Sequence, residues 1–201
     1  FQADVTLTDI GLLTGAFLTV RDFASGETVR DSMLAGAGTL TLPSTPFGNT
    51  HFVAAGGEVD LAYAPSGVRT VHYASGTSPA WERAEVNLTI TDDPAGESIA
   101  TLVCFPPLDP GLFFYENKRL ALPVTGTIRI GTRTWTVPDG SFAVIDWGRG
   151  AWPPDVSWLW ADAAGTTVDG RRVGINLGTV HGDDSRGTSD AVVVDGVLHK
   201  M

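Results

Sequence analysis

Residues 144–160, "VIDWGRGAWPPDVSWLW", hold four of the chain's six tryptophans together with a carboxylate, a guanidinium and a Pro-Pro pair. An indole is costly as core filler, because its N–H needs a partner wherever it is buried. Strand alternation places Phe142, Val144 and Asp146 on one face and Ile145 and Trp147 on the other. Asp146 then ends an apolar row, where desolvation raises a carboxyl's pKa unless a cation or hydrogen-bond donors compensate. Arg149, three residues on, is the expected compensating cation. A carboxyl that keeps its proton can act as a general acid, whereas one paired with arginine orients a ligand or locks a corner. The glycines at 148 and 150 let the backbone bend or approach something closely. Beyond Pro153-Pro154, Trp158 and Trp160 share a strand face. Two readings stay open: an aromatic-walled pocket built from Trp147, Trp152, Trp158 and Trp160, or a structural corner filled by indoles.

Other polar residues join as candidates. In "VGINLG", Gly174, Asn176 and Gly178 share a face opposite Val173, Ile175 and Leu177. That face is either vacated for tryptophans of a neighbouring strand or left open for a ligand. In "YENK", Tyr115 and Asn117 occupy one face, Glu116 and Lys118 the other. Tyr115 and Lys118 are candidate ligand contacts, although an exposed ladder of charges is the expected setting of Glu116 and Lys118. The acidic run "HGDDSRGTSD", with His181, Asp183, Asp184 and Asp190, lacks the spacing of a calcium loop and reads as a solvated loop. His51, His72, His181 and His199 have no partner at metal-ligand spacing, so neither a metal nor a cofactor is expected. Nucleotide-binding glycine loops, the zinc-protease helix motif and the nucleophile elbow are all missing.

The elements that must position these residues are short strands. Alternation predicts strands over "VTLTDI", "AFLTVRDF", "GTLTL", "EVDLAYA", "VRTVHYA", "AEVNLTI" and "IATLVCF", with one helical turn after Ser78. Gly131-Thr132, Asp195-Gly196 and Asp169-Gly170 are hairpin-turn signals. Three prolines between Pro106 and Pro110 cannot serve a central strand and mark a connector. The expected organisation is a first β segment over 1–105, a connector at 106–110 and a second β segment over 111–201. Such strands form an antiparallel sandwich or a closed barrel with little helix. A barrel of that size can hold one small apolar ligand.

Bulk properties exclude several classes. A net charge of −10 and a pI near 4.6 provide no basic footprint for nucleic acid. No apolar run is long enough for a membrane helix. The lone Cys104, in an apolar run, excludes an intramolecular disulfide and is expected to be a buried thiol. The start at Phe1, without initiator Met or signal-peptide pattern, suggests a fragment of a longer protein and leaves a targeting segment upstream open. The location is therefore open, with the cytoplasm the favoured expectation.

The stretches "FFYENKRLALPVTGTIRI", "FAVIDWGRGAWPP…WLWADA", "GINLG…GDDSRGTSD" and "VDGVLHKM" resemble, in that order, a bacterial and fungal family catalogued as domain of unknown function 2804. The chain departs from its pattern at Thr188-Ser189-Asp190, where the family usually has Thr-Glu-Asn. The family is similar, more remotely, to lipocalin-like carotenoid hydratases. That resemblance implies a calycin-like barrel or strongly curved sheets, with an internal site for a small hydrophobic molecule. By the same analogy Asp146 is the expected proton donor to an alkene, the indoles stabilising a developing carbocation. Three functions therefore compete: a hydrophobic-ligand binder, an acid-catalysed hydratase, cyclase or isomerase, and a structural β domain.

Overall fold

Residues that alternate in polarity become strands. The computed structural model describes residues 1–77, 82–105, 111–180 and 188–201, and contains no helix among them. In chain order the strands are β1 (Gln2–Asp9), β2 (Leu13–Arg21), β3 (Thr28–Gly36), β4 (Thr50–Ala54), β5 (Gly57–Ala64), β6 (Val68–Ser75), β7 (Ala84–Thr91) and β8 (Ile99–Cys104). They continue with β9 (Phe113–Ile130), β10 (Arg133–Thr136), β11 (Phe142–Ala151), β12 (Trp158–Thr166), β13 (Arg172–Val180), β14 (Ala191–Val194) and β15 (Val197–Lys200). The chain is thus all-β, with antiparallel pairing, and none of its sheets closes into a barrel among the described residues.

Two compact units result, and neither is contiguous. Unit 1 takes Phe1–Ile90 and Thr125–Pro138; unit 2 takes Thr91–Val124 and Asp139–Met201. The helical turn expected after Ser78 and the connector at 106–110 lie outside the described residues.

In unit 1, β1-β2-β3 form one sheet, and β4-β5-β6-β7 continue onto the last part of β9 and β10. Its core contains Leu18, Val20, Phe52, Val59, Val86 and Ile128. Within it the Tyr73 hydroxyl donates to Asp31 Oδ2 at 2.8 Å, and burial together with that carboxylate pushes the phenol's pKa upward. The β9–β10 hairpin turns at Gly131-Thr132, with Gly131 at φ +59°. "GTLTL" is not a strand: Gly38 has φ +77° and the Thr39 hydroxyl bonds to the Gly36 carbonyl, so a turn replaces it.

In unit 2, the first part of β9 is central, with β8 on one side and β11 on the other. A second sheet runs β12-β13-β14-β15. Its last hairpin turns at Asp195-Gly196, both with positive φ (+50° and +88°), as a type I′ turn requires. β9 and β11 share a bulge, in which Leu120 and Ala121 oppose Val144 and Ala121 has φ +54°. Ile99, Leu120, Ala191 and Val193 form the apolar core, with Val144 and Leu198 packed against it. Cys104 is exposed rather than buried, because β8 turns Ile99, Thr101 and Val103 inward and Ala100, Leu102 and Cys104 outward.

Candidate functional site

The inward faces of unit 2 change chemistry in step along every strand. In β9 the series runs Phe114, Glu116, Lys118, Leu120. Register places Gly150 and Val103 beside Phe114, Gly148 and Thr101 beside Glu116, and Asp146 and Ile99 beside Lys118. The other sheet repeats the order: Trp160 pairs with Gly178, Asp162 with Asn176, and Ala164 with Gly174. Ala191 and Lys200 extend the Asn176 row, Val193 and Leu198 the Gly174 row. Unit 2 therefore has an apolar end, a polar belt and an aromatic rim.

The belt centres on Lys118. Its Nζ lies 3.0 Å from Glu116 Oε2, 3.8 Å from Asp146 Oδ2 and 4.7 Å from the Trp160 ring centroid. The side chains of Glu116 and Lys118 are only 7% and 5% exposed, so the exposed charge ladder expected there is instead a buried ion pair. A central strand flanked on both sides provides that burial. Asn176 is fully buried: its Oδ1 accepts from Trp160 Nε1 at 2.7 Å, and its Nδ2 donates to the Ser189 carbonyl at 2.7 Å. Asp190 Oδ1 accepts from the Gly178 N–H at 2.7 Å, and Lys200 Nζ donates to the Thr188 carbonyl. Desolvation lowers the Lys200 pKa against the pull of Glu116 and Asp190. Asp146 is raised, chiefly by desolvation; Lys118 opposes the rise, while Glu116 and Asp162 add to it. Its side chain keeps 39% exposure, so solvent limits the shift.

At the rim, the rings of Phe114 and Trp152 meet at a 40° tilt with centroids 4.3 Å apart, and those of Trp152 and Trp158 lie 5.7 Å apart. A Cβ at Gly148 would fall 2.8 Å from Phe114 Cε2, so the glycine makes room for that ring. Trp152, Trp158 and Trp160 remain 38%, 56% and 42% exposed, which is not the state of core filler. Trp160 also borders an open depression of about 610 Å3, with Leu159, Leu177, Gly178, Thr188 and Asp190.

Among the residues singled out from sequence, Lys118, Asp146, Trp160 and Asn176 come together, and Trp152 and Trp158 join the rim. Tyr115, Trp147 and Arg149 gather elsewhere: the Tyr115 and Trp147 rings meet edge-on at 5.9 Å, and the Arg149 guanidinium lies 5.9 Å from the Trp147 centroid. Arg149 therefore packs on an indole, and Lys118 is the cation beside Asp146. An odd spacing within a continuous strand puts residues on opposite faces, and 146 and 149 are three apart. The face of Gly174 is filled, since a Cβ there would meet Leu120 Cβ at 2.7 Å. His181, Asp183 and Asp184 lie outside the described residues.

The model of a family described as a domain of unknown function (DUF2804) matches residues 1–201. The chain belongs to that family. No curated protein and no solved structure matches it. Sequence reasoning missed four members of this DUF2804 chain's belt and rim: Phe114, Thr101, Asp162 and Lys200. Asp162 carried a usable signal, standing two residues after Trp160 and hence on its face. Among the described residues no group of three or more His, Cys, Asp or Glu could hold a metal ion, and no helix is long and apolar enough to cross a membrane.

Proposed function

We propose that unit 2 is a lipocalin-like binding module. It holds a small hydrophobic molecule against Trp152, Trp158 and Trp160, while Lys118 and Asp146 fix the molecule's polar end and Asn176 braces Trp160 from behind. The observation that carries this reading is the rim: three indoles stay partly exposed on one face, directly beside a buried polar belt. Aromatic walls with a few fixed polar groups are what small-molecule sites are built from. The test is a titration of tryptophan emission with a broad panel of apolar molecules, in the native chain and in Trp158→Leu and Trp160→Leu. Saturable quenching that weakens in the variants is expected. A panel without saturable quenching refutes the reading and favours a structural role for the rim.

A second reading adds turnover. The raised pKa of Asp146, whose neighbour Lys118 lies over the indole of Trp160, suits a carboxylic acid that protonates an alkene in hydration, cyclisation or isomerisation of an isoprenoid-like substrate. Titration of Asp146 by NMR tests it, and a pKa below about 4 rules it out.

A further inference from the structure

We infer that the outer face of β12 and β13 is the contact through which two copies of this chain form a reversible two-fold dimer. That face is the reverse of the one carrying Trp158 and Trp160, so the inference stands apart from the reading of the rim as a binding surface.

A sheet face turned to water is ordinarily polar, and β4–β7 obey the rule. Their outer face carries His51, Glu58, Asp60, His72, Glu85 and Asn87, with His51 bonded to Asp60 and His72 to Asn87. The outer face of β12 and β13 breaks it. From Leu159 to Gly165 on β12, and from Val173 to Thr179 on β13, no outward position carries an ionisable group. Leu159, Leu177 and Ile175 are 76%, 45% and 37% exposed there. Val192, Val194 and Val197 carry the same surface onto β14 and β15. Contiguous exposed apolar surface of this kind marks an interaction site.

The relief of the face selects its occupant. Register sets a small residue beside a larger one at every level: Ala161 beside Leu177, Ala163 beside Ile175 and Gly165 beside Val173. With the strands exchanged, Thr179 stands beside Leu159. Over the first three levels β13 is a ridge and β12 a trough. A two-fold axis parallel to the strands, above the line between them, turns a second copy so that its ridge lies over this trough. Leu177 of one copy then meets Ala161 of the other, Ile175 meets Ala163, and Leu159 meets Thr179. The strands of the two sheets stay aligned, as in face-to-face sheet packing. An isologous contact requires this kind of self-complementarity. The lack of charge acts in the same direction. Such a face brings no like charges together when it meets its own copy, and offers nothing to steer an oppositely charged partner. Strands of nine residues run about 30 Å and lie about 4.8 Å apart. With the valines at the margin, the overlap is on the order of 1,000 Å2 in total, a size that gives weak, reversible association.

The test is sedimentation velocity of the native chain from about 1 to 200 μM, at low and high salt. A monomer–dimer equilibrium with a dissociation constant on the order of 10 μM is expected. It should tighten with added salt, because each chain carries a net charge of −10 and the attraction is apolar. Leu177→Lys buries an unpaired charge in both halves of the contact and should weaken the dimer at least about 100-fold. Ala161→Leu fills the trough and should weaken it about tenfold, whereas Ala161→Leu/Leu177→Ala exchanges ridge and trough at that level and should restore most of the affinity. Both positions are exposed, and the urea transition of unit 2 checks that each variant folds; Ile175→Lys replaces Leu177→Lys if that variant does not. A chain that stays monomeric at the highest concentration overturns the inference, and the face then serves another occupant. A dimer indifferent to Leu177→Lys and Ile175→Lys also overturns it, since the contact lies elsewhere, as does a dimer that dissociates when salt is added. An exchange variant no tighter than Ala161→Leu overturns the two-fold seating to which the inference commits.

Discussion

Asn176 holds the belt to the rim, and Asn176→Leu is the sharpest probe of that connection. The substitution roughly conserves volume but removes an acceptor from Trp160 Nε1–H and a donor from the Ser189 carbonyl, both at 2.7 Å. Each buried polar group left without its partner costs about 1–3 kcal/mol. The Ser189 carbonyl falls toward the upper end, because Ser189 is 8% exposed and Asn176 fully buried. The indole falls toward the lower end, because a ring with 42% exposure can turn its N–H to water. Allowing about 1 kcal/mol returned by the apolar side chain, the expected net loss is roughly 2–3 kcal/mol. Urea denaturation read by tryptophan emission measures it, since four of the six tryptophans are in unit 2. Two units need not unfold in one step, so the transition reporting unit 2 is the one compared. An unfolding free energy within about 0.5 kcal/mol of the native chain's refutes the account of Asn176 as the strut behind Trp160. Asn176→Asp is the control that keeps an acceptor for the indole while removing the donor to Ser189.

Three further outcomes follow from the same geometry. Gly174→Ala places a Cβ 2.7 Å from Leu120 Cβ and 3.1 Å from Ala121 Cβ, atoms with no freedom to swing away, and should cost about 1–3 kcal/mol. Gly165→Ala, with nothing within 4 Å, should instead stabilise by about 0.5–1 kcal/mol in the same denaturation assay. Lys118→Met leaves Glu116 buried without its cation and should cost about 3–5 kcal/mol, much of it recovered in the double variant Glu116→Gln/Lys118→Met. Asp146 keeps its proton to a higher pH folded than unfolded, so its contribution to stability is complete below its ordinary value of 3.8 and disappears as pH rises through the folded value. Asp146→Asn cannot ionise, so urea midpoints should match those of the native chain in strong acid and exceed them at neutral pH.

Much of the fold was legible because a half-buried strand writes its two faces into alternate residues. β1, β2, β5, β6, β7 and β8 follow that pattern, and the hairpins at Gly131 and Asp195 follow turn chemistry. β3 escaped notice because its inward row includes Asp31, a charge in a core position whose reason for being there, Tyr73, lies 42 residues away. β4 is five residues long, too short for a period to show. At the site, the shared face of Trp158 and Trp160 was readable, as was that of Glu116 and Lys118. Whether Asn176 looks toward the indoles was not, because the loop joining β12 to β13 does not reveal its length, and a slip of one residue reverses the face. The burial of Lys118 was equally hidden: it depends on two flanking strands and a facing sheet, none of them local to the sequence around it.

The path of β9 bears on how this molecule can be made. The chain leaves unit 1 after Ile90, returns for Thr125–Pro138, and leaves again. During synthesis from the N-terminus, the sheet of unit 1 lacks two of its strands until residue 138 has emerged, and β9, with which β8 pairs, arrives later than β8 itself. Long-range antiparallel pairing of this kind folds slowly and leaves strand edges open in the meantime. Cutting the chain at any single position between 91 and 138 strands part of one unit on the wrong piece. Production of either half alone should therefore yield aggregation-prone material, whereas co-expressed halves have a route to recombine.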